Sequence, residues 1–196
     1  MKKTILAVLV LAATAAGPLA AETFQIDPMH SSVTFRIKHF VSKVSGRFNK
    51  FEGSFDYDKA NPKGWTAQAS IDAASVNTDV EARDKHLRSS DFFDVEKCPT
   101  LEFKNVKVTG AKGEKAKLHG DLTMHCITKP VDLALELGGT VMTKQGLKAG
   151  ATATGTINRK DFGMVWNKAL DDGGFILGDD VEITIEIEGN AAAKKG

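Results

Sequence analysis

The chain has 196 residues, with 26 Lys and Arg against 25 Asp and Glu, and a net charge of +1. That is the length of one domain, and the balance leaves no electrostatic footprint for nucleic acid. Beyond residue 20 no apolar run reaches the about 20 residues that a spanning helix needs, so a soluble processed chain is expected.

The first element reads as a leader. Lys2 and Lys3 precede an uncharged apolar run from Thr4 to Ala16, ended by Gly17-Pro18 and followed by Ala20 and Ala21. A basic start, a short apolar run and a small-residue exit mark a secretory signal, predicted over 1–21. Gly17-Pro18 argues against a membrane anchor, and no Cys follows that would take a lipid. A periplasmic domain over 22–190 and a frayed tail over 191–196 are expected. Without Lys2 and Lys3 the net charge becomes −1.

The rest alternates. Val33, Phe35 and Ile37 interleave with Thr34, Arg36 and Lys38; Phe51, Gly53, Phe55 and Tyr57 follow, then Trp65 to Ile71, Leu101 with Phe103, Val131 to Leu137, Leu147 to Ile157, and Val181 to Ile187. Period two with one apolar face means strands wet on one side. Seven or eight of them with short turns predict an antiparallel barrel or sandwich. One segment differs. Thr78-Asp79-Val80-Glu81 has the form of a capping box and predicts a helix from Asp79 to about Leu87, followed by a turn bearing Phe92 and Phe93. This helix either caps one end of the barrel or merely connects two strands.

Catalytic signatures are missing: there is no Gly-x-Ser-x-Gly elbow and no phosphate-binding loop. Of the five His, His119 and His125 share a strand face by parity, whereas Cys126 points the other way, so solvent-facing side chains are expected rather than a metal site. Asp171, Asp172, Asp179 and Asp180 read as charged turns. No metal, cofactor or catalytic residue is predicted. Aromatic content is the positive signal, with 11 Phe and 2 Trp. Small residues stand at inward positions beside them: Ala67, Ala69, Gly120, Ala149, Ala151, Ala153 and Gly155. An eight-stranded barrel allows either a packed interior or one enclosed ligand.

Five motifs occur in order: Asp27-Pro28-Met29-His30-Ser31-Ser32-Val33; Phe48-Asn49-Lys50-Phe51-Glu52-Gly53; Arg83 through Asp94; Gly120-Asp121-Leu122-Thr123 with Thr128-Lys129-Pro130-Val131; and Asn158-Arg159-Lys160-Asp161-Phe162-Gly163-Met164. In this spacing the chain resembles the YceI-like family of exported bacterial proteins over about residues 22–189. The resemblance implies an all-β fold, an extended eight-stranded antiparallel lipocalin-like barrel with one short helix between strands. It also implies an elongated apolar pore for a long-chain isoprenoid, a quinone or a related amphiphile, and no catalytic residues.

On that basis the tunnel is expected to be lined by Phe35, Ile37, Phe40, Phe48, Phe55, Leu87, Phe92, Phe93, Phe103, Leu122, Met124, Phe162, Met164, Trp166 and Phe175. His30, Arg83, His86 and Arg88 are the candidates for the polar head group. The partners expected are the lipid, a transient inner-membrane partner and a second copy in a homodimer. A ligand-free adaptor and a lipid-acting enzyme with His30 or His86 as base are the alternative functions.

The chain departs from the family pattern at Cys98, where an aromatic is common before Pro, and at Cys126, where Gly is common. Two Cys in an oxidising compartment favour a disulfide over two free thiols. A hairpin about the Ala111–Glu114 turn would pair Val108 with Ala116 and Val106 with Leu118, which sets Cys98 beside Cys126. The change of apolar parity between Phe103 and Val106 calls for a bulge near Asn105.

Overall fold

The structure, a computed structural model, describes residues 21–58, 61–171 and 173–192. Residues 1–20 of the expected leader and the last four residues lie outside them. Eleven strands form: β1 (Glu22–Ile26), β2 (Ser32–His39), β3 (Ser42–Phe48), β4 (Phe51–Tyr57), β5 (Thr66–Asp72), β6 (Val76–Asn77), β7 (Thr100–Lys112), β8 (Lys115–Met124), β9 (Ile127–Thr143), β10 (Gly146–Asn158) and β11 (Leu177–Ala191). The one α-helix among the described residues, α1 (Glu81–Arg88), lies between β6 and β7.

The strands occupy eight positions around a closed antiparallel barrel, because three of the positions are long strands broken once. β1 and β2 both pair with β11; β3 and β4 pair with β2 and β1; β5 and β6 pair with β4 and β3. From β7 to β11 the strands pair in sequence order. The break between β1 and β2 holds Pro28, which has no amide to give a ladder; the Asp27 amide and the Ser31 hydroxyl both bond to the Glu188 carbonyl instead. Closure is made by Phe24 against Ala191 and Ile26 against Gly189. The barrel therefore reaches past the expected boundary at 190: Ala191 is in the ladder, and the Ala192 amide donates to the Thr23 carbonyl at 2.8 Å.

Alternation decides the inner face. In β10 and β11, Ala151 stands opposite Ile187, Ala153 opposite Ile185 and Gly155 opposite Ile183, so small and large residues meet across the ladder. The upper end of the barrel, by which we mean the end carrying α1, also holds the β2–β3 turn, the segment 89–99, the β8–β9 turn and the segment 159–176. The lower end holds the β7–β8 and β9–β10 turns and the β4–β5 connection.

Two local expectations are corrected. Helix α1 starts at Glu81, with Val80 as an N-cap that lends no side chain, so the capping box does not form. The reason is the buried carboxylate of Asp84, which accepts from the Thr78 amide at 2.8 Å and the Thr78 hydroxyl at 2.5 Å. A bond to a carboxylate is stronger than one to a backbone group, and it draws Thr78 away from Glu81. In the β7–β8 hairpin, Val108 pairs with Leu118 and Lys104 with Asp121. The turn is tighter than expected, with Gly113 at φ +62 and Lys112 already paired with Lys115. The bulge at Asn105 is present, with φ 54.

Cys98 and Cys126 are joined, with Cα atoms 5.4 Å apart. The bond does not cross the ladder. Cys98 lies just before Pro99 in the connection to β7, and Cys126 is in the two-residue β8–β9 turn, where His125 and Cys126 both have positive φ. That is the turn geometry which matches strand twist in short hairpins and usually selects Asn-Gly.

Candidate functional site: an apolar cavity

The inward residues do not fill the barrel. A cavity of about 700 Å³ runs inside it, bounded almost wholly by carbon. Phe35, Ile37 and Phe48 line it from the first two strand positions, and Phe55 from β4. Phe103 from β7, with Leu122 and Met124 from β8, faces them. Leu87, Phe92 and Phe93 line it from α1 and the following turn, and Met164 and Trp166 from the segment after β10.

Three expected lining residues are elsewhere. Phe162 is packed in solid core beneath the upper end, at 1% exposure. Phe40, at the tip of the β2–β3 turn, and Phe175 both face outward. None of the three sits in a named strand, where parity would set direction: Phe40 is in a turn, Phe162 ends a short 3-10 helix and Phe175 forms an isolated bridge to Ala169.

Much of the lining comes from aliphatic residues that the aromatic signal did not single out. Ile183, Ile185 and Ile187 of β11 and Leu133, Leu135 and Leu137 of β9 all line the cavity. Their period-two alternation was the signal that could have found them. Tyr57 and Trp65, with ring centroids 4.9 Å apart, line its lower end.

What keeps the interior open is a pairing of large side chains with glycines. Phe35 stands opposite Gly46, and a Cβ at Gly46 would lie 2.3 Å from the Phe35 ring. Phe103 lies over Gly120 at 2.8 Å and Phe55 over Gly189 at 2.6 Å, measured the same way. A ring that reclines on bare backbone covers the wall without projecting into the lumen. Gly155 is likewise roofed by Leu133, at 2.5 Å. The inward small residues therefore divide. Ala67, Ala69, Ala149 and Ala151 leave room in the cavity, whereas Gly120 and Gly155 make room for a neighbour.

Polar residues line the cavity on two sides: Ser54, Asp56, Thr66 and Gln68 along β4 and β5 toward the lower end, and His39, Thr78, Arg83, His86 and Arg159 at the upper mouth. Arg83 donates from Nε to the Thr78 hydroxyl at 2.7 Å and from Nη2 to the Thr78 carbonyl at 2.8 Å. His86 has Nε2 2.9 Å from an Asp91 carboxylate oxygen, and its ring packs edge-on against Phe92 and Trp166. Arg159 is 2% exposed and ties the mouth together. It donates to the carbonyls of Gly178 at 2.9 Å and Trp166 at 2.8 Å, and its guanidinium is 3.3 Å from Asp179. Burial pulls its pKa down, and Asp179 opposes that.

The other two head-group candidates do not reach the cavity. Arg88 donates to the carbonyls of Ala74 and Val76 and so fastens α1 to the wall. His30 is exposed on the outside of the barrel, in the break between β1 and β2. Its Nδ1 is 2.9 Å from Asp27 and 3.9 Å from Glu188. These three could hold a cation by spacing, but the Lys148 ammonium is already 2.6 Å from Glu188 and 3.8 Å from Asp27. His119 pairs with Asp132 on the surface at 2.5 Å, and His125, in the β8–β9 turn, bonds the Phe162 carbonyl at 2.9 Å.

The same barrel is found in known proteins. A solved structure of a Campylobacter jejuni YCEI protein is 32% identical, covers 78% of this chain and 88% of its own, and superposes with a TM-score of 0.67. The Burkholderia cenocepacia protein BcnA shares the fold at 23% identity, with a TM-score of 0.73 over 83% of this chain and 98% of that one. A polyisoprenoid binding domain from Saccharophagus degradans shares it at 18% identity, with a TM-score of 0.63 over 88% and 99%. A UPF0312 protein of Pseudomonas aeruginosa is 38% identical over 194 residues, 96% of this chain and 98% of its own. The YceI-like domain matches residues 24–189. With that match covering most of its length, the chain belongs to the YceI-like family.

Proposed function

We propose that this barrel is a periplasmic carrier that holds one long-chain isoprenoid or a similar amphiphile, such as a polyprenyl lipid or a quinone, and performs no chemistry on it. The observation that carries the reading is the cavity. Its volume of about 700 Å³ falls in the range of small-molecule sites, about 300–1,000 Å³, and its walls offer a guest little besides carbon. Each methylene moved there from water gains about 0.8 kcal/mol, so a long tail needs no polar anchor along its length. The polar head then lies at the upper mouth, near Arg83 and His86. The polyisoprenoid binding domain from Saccharophagus degradans, which shares the barrel, supports the choice of ligand class.

Mass spectrometry of an organic extract of the purified protein tests this. A stoichiometric long-chain lipid is the expected result. An extract without lipid, from protein that also fails to take up a fluorescent prenyl probe, would refute it. Unchanged lipid on incubation, in wild type and in His86→Ala alike, separates the carrier from a lipid-acting enzyme.

A further inference from the structure

We propose that the upper mouth is a membrane-docking surface, and that it seats on an electrically neutral lipid bilayer; this rests on the lipid-carrier reading. Of the eight large apolar side chains exposed among the described residues, five lie there, with Val141 and Met142 at the lower end and Met29 in the β1–β2 break. Val41 is fully exposed and Phe175 is 62% exposed, and Phe40, Val80 and Val165 are exposed beside them. They come from three separate segments: the β2–β3 turn, the N-cap of α1 and the stretch after β10. Those segments meet around one opening, for His39, Val80, His86, Trp166 and Ile176 line the cavity at this end. The outer rim and the inner wall are thus one continuous apolar surface.

The rim is also held as a unit. The Phe40 amide donates to the Ile176 carbonyl at 2.9 Å, and the Ile176 amide to the Lys168 carbonyl at 3.0 Å. Trp166 is fixed against His86 and Phe92, at centroid distances of 4.7 and 5.4 Å. Apolar patches of this kind mark interaction sites, and the continuity with the cavity identifies the occupant. A lipid tail that crossed water to reach the mouth would expose every methylene, at about 0.8 kcal/mol each. A rim sunk into the bilayer surface lets the tail pass from one apolar phase to another.

Charge selects the kind of membrane. The charges near the rim nearly balance: Lys43 is matched by Glu182 and Lys160 by Asp179, and the exposed Lys38, Lys85 and Lys168 stand with the exposed Glu81, Asp171 and Asp180. Attraction to anionic head groups therefore contributes little, and binding should tolerate salt.

The experiment uses the full chain and vesicles of pure phosphatidylcholine. An environment-sensitive dye is placed at the rim through Phe175→Cys, or at the far end through Met142→Cys. The rim dye should shift to the blue and be quenched by bromine-labelled acyl chains, with the same response at high salt, and the far-end dye should do neither. This readout is site-specific, so binding through the apolar N-terminal run would leave both dyes in water. Val41→Asp with Val165→Asp should weaken the rim response about ten-fold or more, without altering near-ultraviolet dichroism or uptake of a prenyl probe in vesicle-free solution. A rim dye that stays in water would overturn the proposal. So would a response only to anionic vesicles, or a rim shift that appears without lipid and grows with protein concentration, which would assign the surface to a second copy. Loss of prenyl-probe uptake in the wild-type chain would count against the carrier reading instead, and is measured separately.

Discussion

The two ends of the barrel carry the same ladder but are finished differently. At the lower end, β7–β8 and β9–β10 are joined by two-residue turns, and Tyr57 with Trp65 occupies the lumen between them. At the upper end β2–β3 and β8–β9 are also two-residue turns, but the connections over 78–99 and 159–176 are long, and their shape depends on contacts with other parts of the chain. Asp84 fixes Thr78, Arg88 fixes Val76 of β6, Arg159 gathers the carbonyls of Met164, Trp166 and Gly178, and Cys98 is bonded to Cys126. A barrel can be closed by alternation alone, but an entrance has to be assembled.

The largest test of this contrast is removal of the disulfide. For a separation of 28 residues the chain-entropy estimate is roughly 3–4 kcal/mol. Cys98→Ser with Cys126→Ser should lower stability by up to that amount in urea titration. Hydrogen exchange should rise first in 89–99, with β9 and β10 at the lower end unchanged. Uniform loss of protection would mean that the bond secures the whole barrel and not its upper end.

Next is Asp84→Ala. It leaves the buried Thr78 amide and hydroxyl without their acceptor, at a cost of about 2–3 kcal/mol. Exchange in residues 78–99 should quicken, and uptake of a prenyl probe should fall with it. Stability within a few tenths of a kcal/mol of wild type would show that another acceptor replaces the carboxylate.

A third comparison sets two small residues of β10 against each other. Ala151→Trp points into the cavity, so it should abolish probe uptake with a stability change below about 1 kcal/mol. Gly155→Leu must displace the Leu133 side chain that covers it, and overpacking of that kind costs about 1–3 kcal/mol. Equal losses of stability would refute the distinction between space left for a guest and space taken by a neighbour.

The smallest effect belongs to neither end. On the outer wall, the hydrogen bond from His30, followed by that from the Met29 amide, holds the Asp27 carboxyl below the usual carboxylate range. A depressed carboxyl contributes stability that is present above the unfolded-state pKa and lost as pH falls through the folded value. Asp27→Asn should therefore lower the melting temperature slightly at neutral pH, and the difference from wild type should begin to shrink near about pH 4 and vanish once the pH is below the depressed folded value. A difference that persists in acid would assign the loss to packing in the strand break.

These comparisons also separate what could be read from residues alone. The strands of β10 and β11 were legible because one face of each is dry, and parity places Ile183, Ile185 and Ile187 without knowledge of their partners. The existence of a helix near 80 was legible, but its cap was not. Glu81 and Asp84 are both within reach of Thr78 in sequence, and only burial of Asp84 decides between them. Aromatic character alone points Phe40 and Phe175 inward, yet neither lies in a named strand whose alternation would direct it. The ladder register that would set Cys98 beside Cys126 does not form, since Val108 pairs with Leu118. The pairing holds because the Pro99 connection brings Cys98 to the β8–β9 turn.

Closure of the barrel by β1 against β11 has a consequence for how such a chain acquires its shape over time. The seam joins Phe24 to Ala191, nearly the full length of the sequence, so nothing made early in synthesis can be completed before the last strand arrives. Until then the β1–β2 position and β10 both present open edges, which invite pairing with other chains. Topology of such long range also slows the search for the native state. A molecule of this design depends on being kept apart from its own copies until its final fifteen-residue strand is in place.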